Sequence, residues 1–210
     1  MNVLVGCEYS GIVRDAFIRA GHHAVSVDIL PSESDFGPHH QRDIFQFLET
    51  DSTVWDLAIF HPPCTYLATS GIHWNKKRPD RQKKTDEALE FVRKLMELDI
   101  EKIAIENPRS VISSNIRPAD QMVHPYMFGE PKYKGIHLWL KGLPKLVETR
   151  NVKDNAKQWI QTMGPSKDRA KKRSKFFIGV AEAMASQWGG LENQSTLDMF
   201  GVEIKGGVSE

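Results

Sequence analysis

Apolar positions along this chain switch between short unbroken runs and helical spacing. Residues 3–6 form an apolar run that ends in a turn. Residues 12–20 then space apolar side chains at helical intervals, and Gly21 sits where a helix C-cap belongs. Residues 24–29 read as a second strand closing around Asp28. Residues 31–42 are rich in Pro, Ser and His and are expected to be loop; residues 43–49 start a helix. A third strand, 56–60, is stopped by Pro62 and Pro63. Residues 65–84 are polar and lack a core pattern. Residues 85–98 put Ala88, Leu89, Val92, Leu95 and Met96 on one helical face, and a fourth strand follows at 102–106. Residues 136–140 read as a further strand and 176–188 as a closing helix. Strands alternating with helices predict a mostly parallel, twisted α/β sheet with helices on both faces.

Composition sharpens this picture only a little. At 210 residues the chain holds one α/β domain with a sizeable core and is too short for two large ones. Hydrophobic residues make up 40% and charged residues 26%, an ordinary globular balance. No apolar run reaches membrane-span length, and the first residues read as a strand rather than a signal peptide, so a cytoplasmic protein is expected. Two cysteines, Cys7 and Cys64, are too few for a zinc cluster, and inside a cell they are expected to stay unpaired. The net charge of +1 does not announce a polyanion-binding protein.

Local chemistry says more. In parallel α/β sheets ligands bind beyond the carboxyl ends of the strands, near the switch in strand order. The segment Cys7-Glu8-Tyr9-Ser10-Gly11 joins the first strand to the first helix there. Its small residues let a ligand approach the backbone. Asp28 closes the second strand, placed to accept bonds from a ribose, and Asp43 is placed to meet an adenine amine. An ordinary turn with solvated acids would look the same, because such glycine signals are weak. Farther on, Asp56-Leu57-Ala58-Ile59-Phe60-His61-Pro62-Pro63-Cys64 sets a thiol just past a buried strand, with two prolines stiffening the turn. Deprotonated cysteine is a strong nucleophile. The fourth strand ends in Glu106-Asn107-Pro108, which puts a carboxyl at the same sheet edge if the two strands are neighbours. A buried small thiol and a capping acid are the commoner fates of such residues taken singly; their joint placement at two strand ends argues for chemistry.

On these residues the chain resembles the cytosine-C5 DNA methyltransferase family, especially its short phage-type members. The family's Pro-Cys motif matches Pro63-Cys64 and its Glu-Asn motif matches Glu106-Asn107. Its cofactor turn corresponds to Tyr9-Ser10-Gly11, its ribose-binding acid to Asp28 and its adenine-contacting acid to Asp43. Phe128-Gly129-Glu130-Pro131-Lys132-Tyr133-Lys134 resembles a Phe-Gly-x-Pro-Gln-x-Arg stretch, and residues 179–187 resemble the closing helix. The resemblance spans residues 2–188 and implies a Rossmann-like class I methyltransferase fold using S-adenosylmethionine. It implies cofactor contacts from Cys7, Glu8, Tyr9, Ser10, Gly11, Asp28, Ile29, Asp43, Ile44 and Pro62. It further implies that the Cys64 thiolate attacks C6 of a flipped cytosine. Glu106, with a raised pKa, hydrogen-bonds the N3 and N4 edge, and Asn107 holds the loop.

The departures carry information too. Thr65 stands where Gln is usual, Lys132 and Lys134 replace Gln and Arg, and Ile136 falls where a second Arg is usual. Only about twenty residues separate Leu146 from Pro165, where the family keeps its target-recognition domain. The expected organisation is one catalytic domain over 1–188, with 146–165 a reduced remnant of the recognition region, and a tail at 189–210. Low sequence selectivity follows. Nucleic-acid contact is expected from Thr65, Tyr66, Trp74, Lys76, Lys77 and Arg78, from Lys132 and Lys134, and from Arg169, Lys171, Lys172 and Arg173. Three other readings stay open: an amino-methyltransferase, which leaves Glu106-Asn107 unexplained; an enzyme acting on RNA or free nucleotides; and an inactive nucleic-acid-binding relative. Gln194-Ser195-Thr196-Leu197-Asp198-Met199-Phe200 resembles a sliding-clamp-binding peptide, although packing on the body is the commoner fate of such a segment.

Overall fold

The structure is a computed structural model that describes residues 1–158 and 175–190. In chain order the elements are β1 (Asn2–Gly6), α1 (Ile12–Arg19), β2 (His23–Asp28), β3 (His39–Gln41), α2 (Ile44–Thr50), β4 (Leu57–Phe60), α3 (Thr69–Ile72), α4 (Pro79–Met96), β5 (Lys102–Asn107), α5 (Ile112–Asn115), β6 (Gln121–Val123), β7 (Lys132–Tyr133), β8 (Ile136–Lys141) and β9 (Lys157–Gln158). The last described helix, α6, covers Ile178–Trp188. Seven strands form one sheet in the order β3-β2-β1-β4-β5-β8-β6. The first five run parallel, while β8 and β6 are antiparallel to their neighbours. The chain builds outward from β1 to β3, then returns to place β4 and β5 on the other side of β1. The switch point therefore lies between β1 and β4, with its crevice beyond their carboxyl ends.

Side chains alternate across the strands with period two, so each face of the sheet has its own core. Val3, Val5, Leu57 and Ile59 pack with Val13 and Phe17 of α1 and with Val180, Met184 and Trp188 of α6. Leu4, Ala58 and Phe60 face the other way, against Phe47 of α2 and Leu89, Val92 and Leu95 of α4. This is the two-faced Rossmann-like α/β architecture read from the sequence.

Helix ends follow local chemistry. After α1, the Gly21 amide donates to Ile18 and the His22 amide to Phe17, with Gly21 at φ 86. This is a Schellman closure that only glycine adopts without strain. Asp43 caps α2 through Phe45 and Gln46. Two expectations need correction. The loop at 31–42 contains β3, which pairs in parallel with β2 from Ser26 to Asp28. Helix α4 starts at Pro79 rather than at 85, because proline suits the first helical position and the first turns face solvent, where no apolar stripe is needed. The short strands β6, β7 and β9 have two or three residues each, too few for a period to show. No described helix is long and apolar enough to cross a membrane.

Candidate active site

The turn after β1 is shaped by close packing. A Cβ on Gly6 would run into the Phe60 ring. Cys7 takes φ 59, the only positive φ among the described non-glycine residues, while its amide continues the ladder to Val27 O at 2.8 Å. Burial pushes the Cys7 thiol up to about 12, and the carboxylates of Asp28 and Asp43 push in the same direction. The ends of β1, β2 and β3 thus bring Cys7, Asp28 and Asp43 together.

Glu8 is buried rather than solvated. Its Oε1 accepts from Ser10 Oγ at 2.7 Å and Val13 N at 3.1 Å. Its Oε2 is buried without a hydrogen-bond partner among the described residues. A buried carboxylate oxygen of this kind is completed by a donor or cation brought by a ligand. Asp28 accepts from Leu30 N at 2.9 Å; burial raises its carboxyl pKa, with the Leu30 bond and the charges of His39 and His61 working against that. Ile29 beside it is 69% exposed, an apolar surface at the crevice. Asp43 uses Oδ1 to cap α2. Ile44 is buried against the Leu4 cluster, because the first turn of α2 faces the sheet.

Gly11 has φ 74, and a Cβ there would come within 2.6 Å of the Arg14 guanidinium. Arg14 was not singled out from the sequence, yet it is fully buried and pins the turn to the following loop. It pairs with Asp15 and donates to Ser26 Oγ at 3.0 Å and Ser34 O at 3.0 Å. Tyr9 O accepts from Glu33 N, and Glu33 pairs with Lys175 at 2.9 Å, which ties the approach to α6 to the same loop.

The second half of the site comes from adjacent parallel strands. Phe60 pairs with Ile105, so the residues beyond β4 face the last two residues of β5. Pro62 is buried, while Pro63 and Cys64 are exposed. Cys64 opens a 3-10 turn whose Leu67 and Ala68 amides return to Cys64 O. Asn107, also buried, donates from Nδ2 to Pro62 O at 2.8 Å, a direct brace for the turn that carries the thiol.

Glu106 is 9% exposed and its Oε2 lies 3.2 Å from His61 Nδ1. Burial raises its pKa, but the His61 hydrogen bond and charge, with Lys134 and His137, outweigh this and hold the carboxyl below its ordinary value. The raised pKa expected from the sequence is therefore not found in the ligand-free protein. A neighbouring imidazole, invisible in a linear reading, reverses the sign. His61, with 11% of its side chain exposed, is neither solvated nor a helix cap. Its position directly between the strand and Pro62-Pro63-Cys64 was the available signal. His137 is likewise drawn in, opposite Asn107 on β8.

The basic residues divide into three groups. Near Cys64, Arg81 and Lys84 lie over the Tyr66 ring at 4.9 and 5.5 Å. Arg81 also donates to Thr65 O at 2.7 Å. Lys77 and Arg78 lie over Trp74, which is 43% exposed, and Lys76 is exposed beside them. Lys132 and Lys134 instead converge on the Phe177 ring, at 5.2 and 5.0 Å, and Lys132 pairs with Glu130. Arg169, Lys171, Lys172 and Arg173, and the clamp-like segment 194–200, lie outside the described residues.

No protein-family model and no curated protein matches the chain. Solved structures do. One is an E. coli protein described as a DNA modification methyltransferase encoded within a prophage, with 17% identity over 79% of this chain and 56% of its own, at a TM-score of 0.47. A second is the S. pombe Dnmt2 methyltransferase, with 16% identity over 73% and 52% of the two chains and a TM-score of 0.45. A third is a Spodoptera frugiperda DNMT2 variant, with 17% identity over 72% and 53% and a TM-score of 0.43. The chain spans about half the length of these structures.

Proposed function

We propose that this chain is an S-adenosylmethionine-dependent methyltransferase acting on C5 of cytosine in DNA, with Cys64 as nucleophile. One observation carries the reading: an exposed thiol in the turn beyond β4 and a buried carboxylate at the end of neighbouring β5, joined by the Asn107-to-Pro62 brace. The cofactor supplies an electrophilic methyl group. Glu8, Asp28 and Asp43 line the crevice that would hold it. Cysteine attack at C6 needs the base out of the stack, where both ring faces are open. The Cys64 sulfur then bonds to C6 while Glu106 holds the N3 and N4 edge. C5 becomes nucleophilic and takes the methyl group. Loss of the C5 proton restores the ring double bond and expels the thiolate. Trp74, Tyr66 and the cations around them form a stacking and phosphate-contacting surface beside the thiol.

Residues 1–188 act as one catalytic domain, and 146–165 stand in place of a recognition domain. The target is accordingly short, roughly two to four bases. Methylation-sensitive sequencing of host DNA after expression tests the reading. Cytosine methylation in a short context, absent with Cys64→Ser, supports it. Unmodified host DNA from an expressed, folded wild-type protein contradicts it.

A further inference from the structure

His61 lies between the two halves of the site without a role in the chemistry above. Its amide donates to Gly6 O at 3.0 Å, and its ring meets the edge of Phe176 at 4.8 Å between centroids. Its Nδ1 is within hydrogen-bond distance of Glu106, and its charge reaches Asp28 at the end of β2. Its Nε2 is buried with no partner among the described residues. A buried polar atom left unpaired costs folding free energy, and such atoms concentrate where chemistry uses them.

Glu106 presents a problem that His61 solves. Attack at C6 is assisted when N3 of the base receives a proton or a hydrogen bond. An ionised carboxylate only accepts. Glu106 is held ionised by its surroundings, which are His61 after β4, Lys134 after β7 and His137 on β8. A proton source must therefore sit beside it. His137 is a poor one: burial and the nearby Arg109 charge lower its proton affinity. His61 is in contact.

We propose that His61 is the positioning residue that stores the proton Glu106 presents to N3 of the target base, an inference that rests on the cytosine-C5 reading above. The imidazolium Nδ1–H bond breaks and its proton passes to Glu106 Oε2; the carboxylic acid so formed turns about its Cγ–Cδ bond and gives that same proton to N3. His61 is left neutral and the ring gains the charge that thiolate addition neutralises. When the C5 proton leaves to water and the thiolate is expelled, N3 returns its proton to Glu106 and so to His61. The pair ends the cycle as it began, and one proton is released per methyl transferred.

Two measurements test this on the full-length protein. The first follows the His61 ring N–H protons by NMR at fixed pH, in wild type and in Glu106→Gln. The Nδ1–H signal should lie downfield in wild type, as a hydrogen bond to a carboxylate requires, and move upfield in Glu106→Gln. An Nδ1–H signal that does not respond to Glu106→Gln overturns the proposal, whether or not the protein methylates DNA. The second is the pH–rate profile of methyl transfer for wild type and His61→Gln. The wild-type rate should fall at alkaline pH as the imidazolium is lost. The variant should lack that limb and be slower by about 100-fold at the wild-type optimum, with the KM for S-adenosylmethionine within a few-fold. A uniform drop at every pH would show a structural role and overturn the proposal. An Nδ1–H signal that responds to Glu106→Gln in a protein that never methylates cytosine overturns the cytosine-C5 reading instead, and the proton-delivery step with it.

Discussion

Replacing Asn107 with alanine should separate catalysis from stability. The side chain is 1% exposed, and its single donated bond, to Pro62 O, sits two residues before the thiol. Asn107→Ala leaves that buried carbonyl without a donor, a loss of about 1–3 kcal/mol. The small cavity adds about 1 kcal/mol. Against this, Asn107 Oδ1 has no partner among the described residues, and removing it returns about 1–2 kcal/mol. The net loss spans about 0–3 kcal/mol and centres on about 1.5, a drop in Tm of roughly 3–6 °C at that centre for a domain of this size. The rate should suffer far more. Without the brace the Pro62-Pro63-Cys64 turn is free to shift, and a displacement of about 1 Å at a reacting group costs on the order of 100-fold. Calorimetry gives the first quantity. Methyl transfer to an oligonucleotide at saturating cofactor, well below both melting temperatures, gives the second. A variant that melts early but keeps its rate would show that Asn107 merely fills the core.

Further outcomes follow from the same geometry. Glu106 is held below its ordinary pKa, so its ionised form stabilises the native state above the usual glutamate range, and this contribution disappears as pH falls. Wild type should lose stability more steeply than Glu106→Gln as pH falls below the ordinary glutamate range, measured by denaturant midpoints; parallel curves would remove the coupling. Cys7 stays protonated far above neutrality, so iodoacetamide at about pH 8 should label Cys64 and spare Cys7, read by peptide mass spectrometry. Equal labelling would contradict the raised thiol pKa of Cys7. Trp74→Ala should weaken binding of a single-stranded oligonucleotide by about 1–3 kcal/mol, read by fluorescence anisotropy, with Tm unchanged. Undiminished binding would take Trp74 out of the interface.

Much of this arrangement is legible in the chain itself. Strands β1 and β4 show as unbroken apolar runs, and β2, β5 and β8 as largely apolar ones, because their parallel or central positions bury most of both faces. Strand ends are punctuated by Gly6, Asp28, Pro62 and Asn107, and ligand-facing chemistry lies at those ends. The alliance of Cys64 with Glu106 needs only that β4 and β5 be neighbours. What escapes a linear reading is set by contacts across the sheet. His61 gains meaning only from Glu106, forty-five positions away. Arg14, placed on an apolar helix face, gains its partners from a loop with no period of its own. Ile44 follows an acid at the crevice, but the rotation of α2 turns it into the core.

The most direct measurement uses an oligonucleotide carrying 5-fluorocytosine together with S-adenosylmethionine. Fluorine at C5 cannot leave as a proton does, so the reaction halts after methyl transfer with sulfur still bonded to C6. Denaturing electrophoresis and peptide mapping should find a protein–DNA adduct that survives denaturant, attached at Cys64 and absent in Cys64→Ser. No adduct with the wild-type protein, or an adduct that persists in Cys64→Ser, would contradict nucleophilic attack by Cys64.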